Sequence, residues 1–230
     1  MNSAFGKESQ EGYELHGRAL ASLVGHLSFP SAAFFTWFGR EPSEVESVIF
    51  DACLVASLDH GVNPPSAQAT RLVAGSGKPL ADAVAAGMLA FGTKHGNAGA
   101  ASAIWLHEHH AMDAAEAVAN ALASGERIPG FGHPLYGFDP RAAAIFAVLR
   151  AHSPSTPHAD FAEAVARQLA KAKGKPVPLN VDGAIGAVCA DMDWPTETAD
   201  ALFLLGRTAG LIAHAREAAA QAGESYPRGK

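Results

Sequence analysis

The stretch Ile128-Pro-Gly-Phe-Gly-His-Pro-Leu-Tyr-Gly-Phe-Asp-Pro-Arg141 sets a histidine in a loop of glycines and prolines, and an arginine at the start of a helix. Gly130 and Gly132 free the backbone to approach a ligand closely. His133 is a hydrogen-bond donor or a proton carrier near neutral pH. Asp139 can cap the next helix, with Pro140 at its first position. Arg141 then stands in the first turn, where free amides and a guanidinium both favour an anion. The chemistry this suits is capture of a carboxylate. Taken alone, the same string also reads as a glycine turn before a helix with a surface arginine. Four further clusters of the same design shift the balance.

In Leu58-Asp-His-Gly-Val-Asn-Pro-Pro-Ser66, His60 ends a helix, where the negative end of the dipole favours a protonated imidazole, and Asn63 follows in a turn. Both can donate to a polar ligand; the alternative is a helix C-cap with Gly61. In Phe91-Gly-Thr-Lys-His-Gly-Asn-Ala-Gly99, glycines flank His95 and a helix follows. A neutral imidazole there can hydrogen-bond a developing enolate; the alternative is a flexible connection. In Pro178-Leu-Asn-Val-Asp-Gly-Ala-Ile-Gly186, Asp182 opens an apolar helix. A carboxylate in such surroundings can act as a base toward a carbon acid, or simply cap the helix. In Leu202-Phe-Leu-Leu-Gly-Arg-Thr-Ala-Gly-Leu-Ile-Ala-His214, Arg207 lies inside an apolar helix, which is costly unless an anion pairs with it. The alternative is an arginine snorkelling at a helix edge.

His107-Glu-His-His110 imitates a metal cluster, but position 111 is alanine where a zincin pattern needs histidine, and helical spacing scatters these side chains. It reads as a solvated helix face, and no metal is expected. Cys53 and Cys189 lack CxxC spacing and cannot make a disulfide framework, which points to a reducing compartment, and Cys189 reads as a core residue.

These clusters must be positioned mostly by helices. Hydrophobic residues are 48% of the 230 residues, enough for a real core. Helical periodicity or composition marks 43–56, 80–91, 98–110, 139–152, 158–171 and 196–221, and Asp113 with Glu116 forms a capping box before another helix. Alternating Val-Ile-Thr runs are missing, so strands are few. Interruptions at 125–137 and 174–178 mark a middle lobe of about 80–100 residues, the size of a small domain. A net charge of −6 argues against a nucleic-acid binder. No secretory leader or membrane-length apolar run is visible, so the expected location is cytoplasmic.

Taken in order, Asp59-His-Gly, His95-Gly-Asn-Ala, Gly130-Phe-Gly-His-Pro-Leu-Tyr with Asp139-Pro-Arg-Ala, Asn180-Val-Asp-Gly and Leu205-Gly-Arg-Thr resemble the ordered motifs of the citrate synthases. The segment Tyr13 to Ser43 resembles the short N-terminus of citryl-CoA lyase modules, and Leu205 to His214 also resembles the C-terminal module of ATP-citrate lyase. Asn97 stands where the synthases often have glycine. The resemblance implies an all-α fold with a large helical domain, here 1–106 with 195–230, and a smaller one, 107–194. The active site would lie in the cleft between them, in a homodimer or higher homo-oligomer.

It also implies roles. Asp182 would take the α-proton of a CoA thioester, His95 would stabilise the enol, and His133 would polarise the ketone of a 2-oxo acid and supply its proton. His60, Asn63, Arg141 and Arg207 would hold the substrate, with Arg228 reaching the partner subunit's site. The coenzyme A thioester, a co-substrate rather than a bound cofactor, would lie along Ile128, Pro129, Gly130, Phe131 and Gly132, with Lys173 and Lys175 near its phosphates. The short form favours a citryl-CoA lyase, producing acetyl-CoA and oxaloacetate; a citrate-synthase-type condensation is the alternative, since both directions use the same side chains. A non-catalytic acyl-CoA or carboxylate sensor is the third reading, although a sensor needs no base. With no Walker-type loop for ATP, a separate citrate–CoA ligase would be the partner that activates citrate.

Overall fold

The computed structural model describes residue 3 and residues 5–9, 12–92, 95–96, 98–132 and 137–225. His133, Asn97 and Arg228, all singled out above, lie outside them. The chain divides into two compact units, residues 1–52 and 53–230.

The first unit opens with a small antiparallel sheet of β1 (Gly6–Ser9), β2 (Gly12–Leu15) and β3 (Arg18–Ala19), in that order. Its strands have at most four residues, too short for alternation to register in sequence, and they are among the few strands that the helical reading allowed without placing. A single turn, α1 (Leu20–Leu23), leads to α2 (Phe29–Phe38), which Ser28 caps at its start and Gly39 ends in a left-handed conformation. Phe34 packs on Phe38 and Phe50. The division falls within α3 (Glu44–Ala56).

The second unit is helical: α4 (Pro65–Gly75), α5 (Leu80–Leu89), α6 (Gly99–His109), α7 (Ala114–Ser124), α8 (Pro140–His152), α9 (Pro157–Lys173), α10 (Val181–Asp191) and α11 (Thr198–Ser225). Helix α11 packs on α4 and α5, and also touches α6 and α10. Helix α10 packs most closely on α6 and also meets α8 and α9. The predicted caps are present. The Asp113 carboxylate accepts from the amides of Ala115 and Glu116, and Asp139 accepts from the amide of Arg141. Asp191, at the end of α10, caps α9 across space by accepting from the amides of His158 and Ala159 at 2.8 and 3.0 Å. The 106/107 boundary proposed from sequence falls within α6, whereas 194/195 falls in the connection between α10 and α11.

Glycine brings the site loop onto α10. Gly130, at φ +84°, lies against Gly183, and a side chain on either would collide with the other's backbone. Gly183→Val is expected to lower stability by about 1–3 kcal/mol, read as a lower midpoint in denaturant unfolding.

The histidine-rich end of α6 is only half as solvated as its sequence suggests. His107 and Glu108 are exposed, but the His109 ring stacks on Trp105 at 4.4 Å and His110 lies 4.2 Å from His158. Among the described residues, no three histidine, cysteine or acidic side chains are placed to hold a metal ion. Cys53 and Cys189 are fully buried, and burial pushes the Cys53 thiol up to about 12.

Candidate active site

A cavity of about 670 Å³ opens in the second unit, the size of a small-molecule site. His60, Asn63, His95, Arg141 and Asp182 line it, together with Pro129, Gly130, Phe131 and Gly132. Residues that lie up to 143 positions apart in sequence, from His60 to Phe203, therefore share one space. A second cavity, of about 380 Å³, adjoins it through Arg127 and Phe131 and is lined by Ile128 and Lys173. Lys175 lines neither.

Asp182 is the second residue of α10, whose cap is Asn180. The capping alternative for Asp182 therefore falls. Burial and, second, the Asp200 carboxylate push Asp182 up to about 6, while Arg141 and Arg207 hold it back. A carboxylate so placed exchanges a proton near neutral pH. Asn180 does more than cap. Its side chain accepts from the Gly183 amide and donates to the Gly132 carbonyl, both at 3.0 Å, and its own amide donates to the Gly130 carbonyl. It thus pins the Gly130–Gly132 loop to the helix that carries Asp182. In sequence it reads only as a neighbour of that aspartate.

His95 sits on a short backbone bridge, its amide and carbonyl both bonded to Gly92. Its Nε2 lies 2.9 Å from the hydroxyl of Ser66, the buried second residue of α4. Burial and then the charge of Arg207 lower its pKa, so the ring is neutral. Ser66 thus holds the ring by Nε2, and His95 lines the cavity. Ser66→Ala is expected to leave the fold intact and reduce turnover about tenfold, the effect of roughly one hydrogen bond on ring orientation; a steady-state assay beside a melting curve reads both.

His60 departs from its sequence reading. Helix α3 ends at Ala56, so His60 lies four residues beyond it, and neither the dipole argument nor a Gly61 cap applies. Burial first, then Arg207, His95 and Arg141, push its imidazole down to about 3. It is a neutral ring, edge-on to His95 at 5.4 Å, and not the cation expected. The cause is first its burial and then the positive groups that the fold gathers around it.

Arg141 is in the first turn of α8 as expected, gripped by Asp139 through Nε at 3.0 Å and Nη2 at 2.7 Å. Its Nη1 reaches the Asp59 carbonyl at 3.4 Å. Arg207 is wholly buried, which removes the snorkelling alternative. Its Nε donates to the Ser57 carbonyl at 3.0 Å, Nη1 lies 3.6 Å from Asp59, and the guanidinium stands 5.2 Å from the centre of the Phe203 ring. Neither Nη nitrogen has a hydrogen-bond partner among the described residues. Burial pulls Arg207 down to about 10, against the pull of Asp59. It does not itself line the cavity, whereas Phe203, whose ring it stands over, does.

The comparisons with known proteins converge. The family described as "Citrate synthase, C-terminal domain" matches residues 12–227. The ATP-citrate synthase of Bos taurus is 30% identical over 199 residues, 77% of this chain and 18% of that protein. The citrate synthase of Haloferax volcanii is 33% identical over 189 residues, 78% of this chain and 48% of that one. Among solved structures, that of citryl-CoA lyase from Hydrogenobacter thermophilus superposes with a TM-score of 0.86 at 36% identity, covering 95% of this chain and 87% of its own. The chain spans less than half the length of either curated relative.

Proposed function

The chain belongs to the citrate synthase family, and we propose that it makes or breaks the carbon–carbon bond between an acetyl-CoA unit and oxaloacetate, with cleavage of citryl-CoA as its reaction. The observation that carries this reading is a carboxylate raised to about 6, Asp182, lining one cavity with the neutral His95 and with Arg141. A binder of acyl-CoA has no use for a tuned base. The similarity to a citryl-CoA lyase at 36% identity supports the direction.

In cleavage, the citryl-CoA hydroxyl gives up its proton, in this reading to His133. The alkoxide collapses to the ketone of oxaloacetate, and the bonding pair passes to the acetyl unit as an enolate whose oxygen accepts a hydrogen bond from the neutral His95. Asp182 then protonates the methylene carbon, giving acetyl-CoA. Condensation is the same sequence reversed, with Asp182 as the base. His60, Asn63, Arg141 and Arg207 hold the carboxylates. The thioester arm lies along Ile128–Gly132, and the second cavity, with Lys173, takes the phosphate-bearing end; Lys175 stands outside both cavities. No bound cofactor is required.

We take the working form to be a cytoplasmic homodimer fed by a separate citrate–CoA ligase, with Arg228 of the second copy completing the site. Large apolar side chains left in solvent, Leu72 at 76% and Leu89 at 86%, support an assembly. Among the described residues no helix is long and apolar enough to cross a membrane.

The test runs two reactions side by side. Citryl-CoA is converted to acetyl-CoA and oxaloacetate in one; acetyl-CoA with oxaloacetate is followed for free thiol in the other. Cleavage without thiol release is the expected result. Thiol release would make the protein a synthase, because net synthesis also requires hydrolysis of the thioester. Silence in both, with CoA still bound, would favour the sensor.

A further inference from the structure

Helix α11 carries two glycines between the leucines of its site-facing stretch. A side chain at Gly206 would run into the Leu54 carbonyl and Ser57, and one at Gly210 into the Leu58 carbonyl. Segment 54–59 can therefore lie directly on α11, between Arg207 and His214, which stand two turns apart. In that position Asp59 becomes a hub. One carboxylate oxygen accepts from His214 Nε2 at 2.9 Å and lies 3.6 Å from Arg207 Nη1. The other accepts from the Gly61 amide at 3.0 Å, closing the turn that carries His60. The Asp59 carbonyl accepts from Arg141 Nη1 at 3.4 Å.

We propose that Asp59 and the buried His214 are a positioning pair that aims Arg207 and Arg141 at the substrate's carboxylates. The proposal rests on the carboxylate-binding reading given above. Neither residue lines the cavity. His214 fixes the carboxylate of Asp59, and that carboxylate limits how far the Arg207 guanidinium swings. Among the described residues Arg207 otherwise makes one hydrogen bond, through Nε, and lies over the Phe203 ring, so its two Nη groups need a second directional restraint to stay oriented. Through its backbone, Asp59 links this restraint to Arg141 on α8. Its side chain is half-exposed, so substituting it leaves no hole in the core.

The experiment uses the full chain carrying His214→Met, His214→Gln or Asp59→Asn. Oxaloacetate and CoA affinities are measured by calorimetry, and hydrogen exchange at Arg207 Nε–H by NMR. His214→Met and Asp59→Asn are expected to weaken oxaloacetate about tenfold or more, leave CoA within about threefold, and expose Arg207 Nε–H to exchange. Gln can donate from a nitrogen near that of His Nε2, so His214→Gln should recover most of the affinity, a rescue that a mere packing role would not give. Native affinity for oxaloacetate in folded His214→Met and Asp59→Asn proteins overturns the proposal. If the native protein takes no oxaloacetate, the carboxylate reading falls instead, and the NMR arm still decides. Unchanged protection of Arg207 in both variants overturns the pairing, and lost protection supports it.

Discussion

Asp182→Asn is expected to cut turnover by about 10²–10⁴-fold, the range for loss of a positioned acid–base group, and to leave CoA binding close to native. Asparagine has the same shape but cannot carry the proton between carbon and solvent. The fold should survive, because Asn180 and not Asp182 caps α10. Steady-state kinetics with calorimetry on CoA reads both halves of the expectation, and unchanged turnover would remove Asp182 from the mechanism.

The raised pKa adds a signature in pH. Condensation needs Asp182 as the carboxylate, so its rate should fall as pH drops through about 6. Cleavage needs Asp182 protonated, so the limb belonging to this group should run the other way, falling as pH rises through the same value. Stability follows the proton too. An ordinary aspartate titrates near about 3.9, so the folded state binds this proton more tightly than the unfolded state does. The resulting stabilisation is complete below the unfolded pKa and is lost as pH rises through about 6. The asparagine variant should therefore unfold at a higher temperature than native at neutral pH and above, with the gap closing in acid.

Local signals in the sequence were faithful. The 3.6-residue period over 43–56 matches α3 nearly end to end, and Asp113 and Asp139 cap the helices that follow them. These depend on neighbours within one turn, and one turn is what a sequence displays. Arg207 was also legible, since a charge inside an apolar helix has few explanations. The state of His60 was not. Its environment is set by Arg207 and His95, brought to it only by packing of α11 and the 92–95 bridge, and together with burial they reverse the charge that a helix end suggests. Ser66 and His214 escaped for the same reason. Their partners stand 29 and 155 residues away, and nothing near either one marks it. The N-terminal sheet escaped because four-residue strands leave too little pattern to separate from turns.

Arg207→Met is expected to separate function from stability. The native guanidinium is wholly buried, with two nitrogens unbonded and its pKa pulled down to about 10, so the unliganded fold bears a desolvation cost. Removing one member of a buried ion pair is costly when it leaves the other charge buried and uncompensated, and replacing the charge with an apolar side chain of similar length removes its desolvation cost when it does not. Asp59, the nearest opposite charge, is half-exposed and keeps His214, so it is not stranded. The lost donor to the Ser57 carbonyl offsets part of the gain, at about 1 kcal/mol. The melting temperature should therefore hold or rise. Affinity for oxaloacetate should fall by about 2–5 kcal/mol, the cost of removing one partner from a desolvated charge pair. The two measurements move in opposite directions only if the buried charge is kept for a ligand. A variant that loses stability and keeps oxaloacetate would make Arg207 a structural tie between α11 and segment 57–59. A variant that keeps its stability and loses oxaloacetate would mean that the desolvation cost of those two nitrogens is borne for a carboxylate, which supplies on binding the hydrogen bonds that the described residues leave unmade.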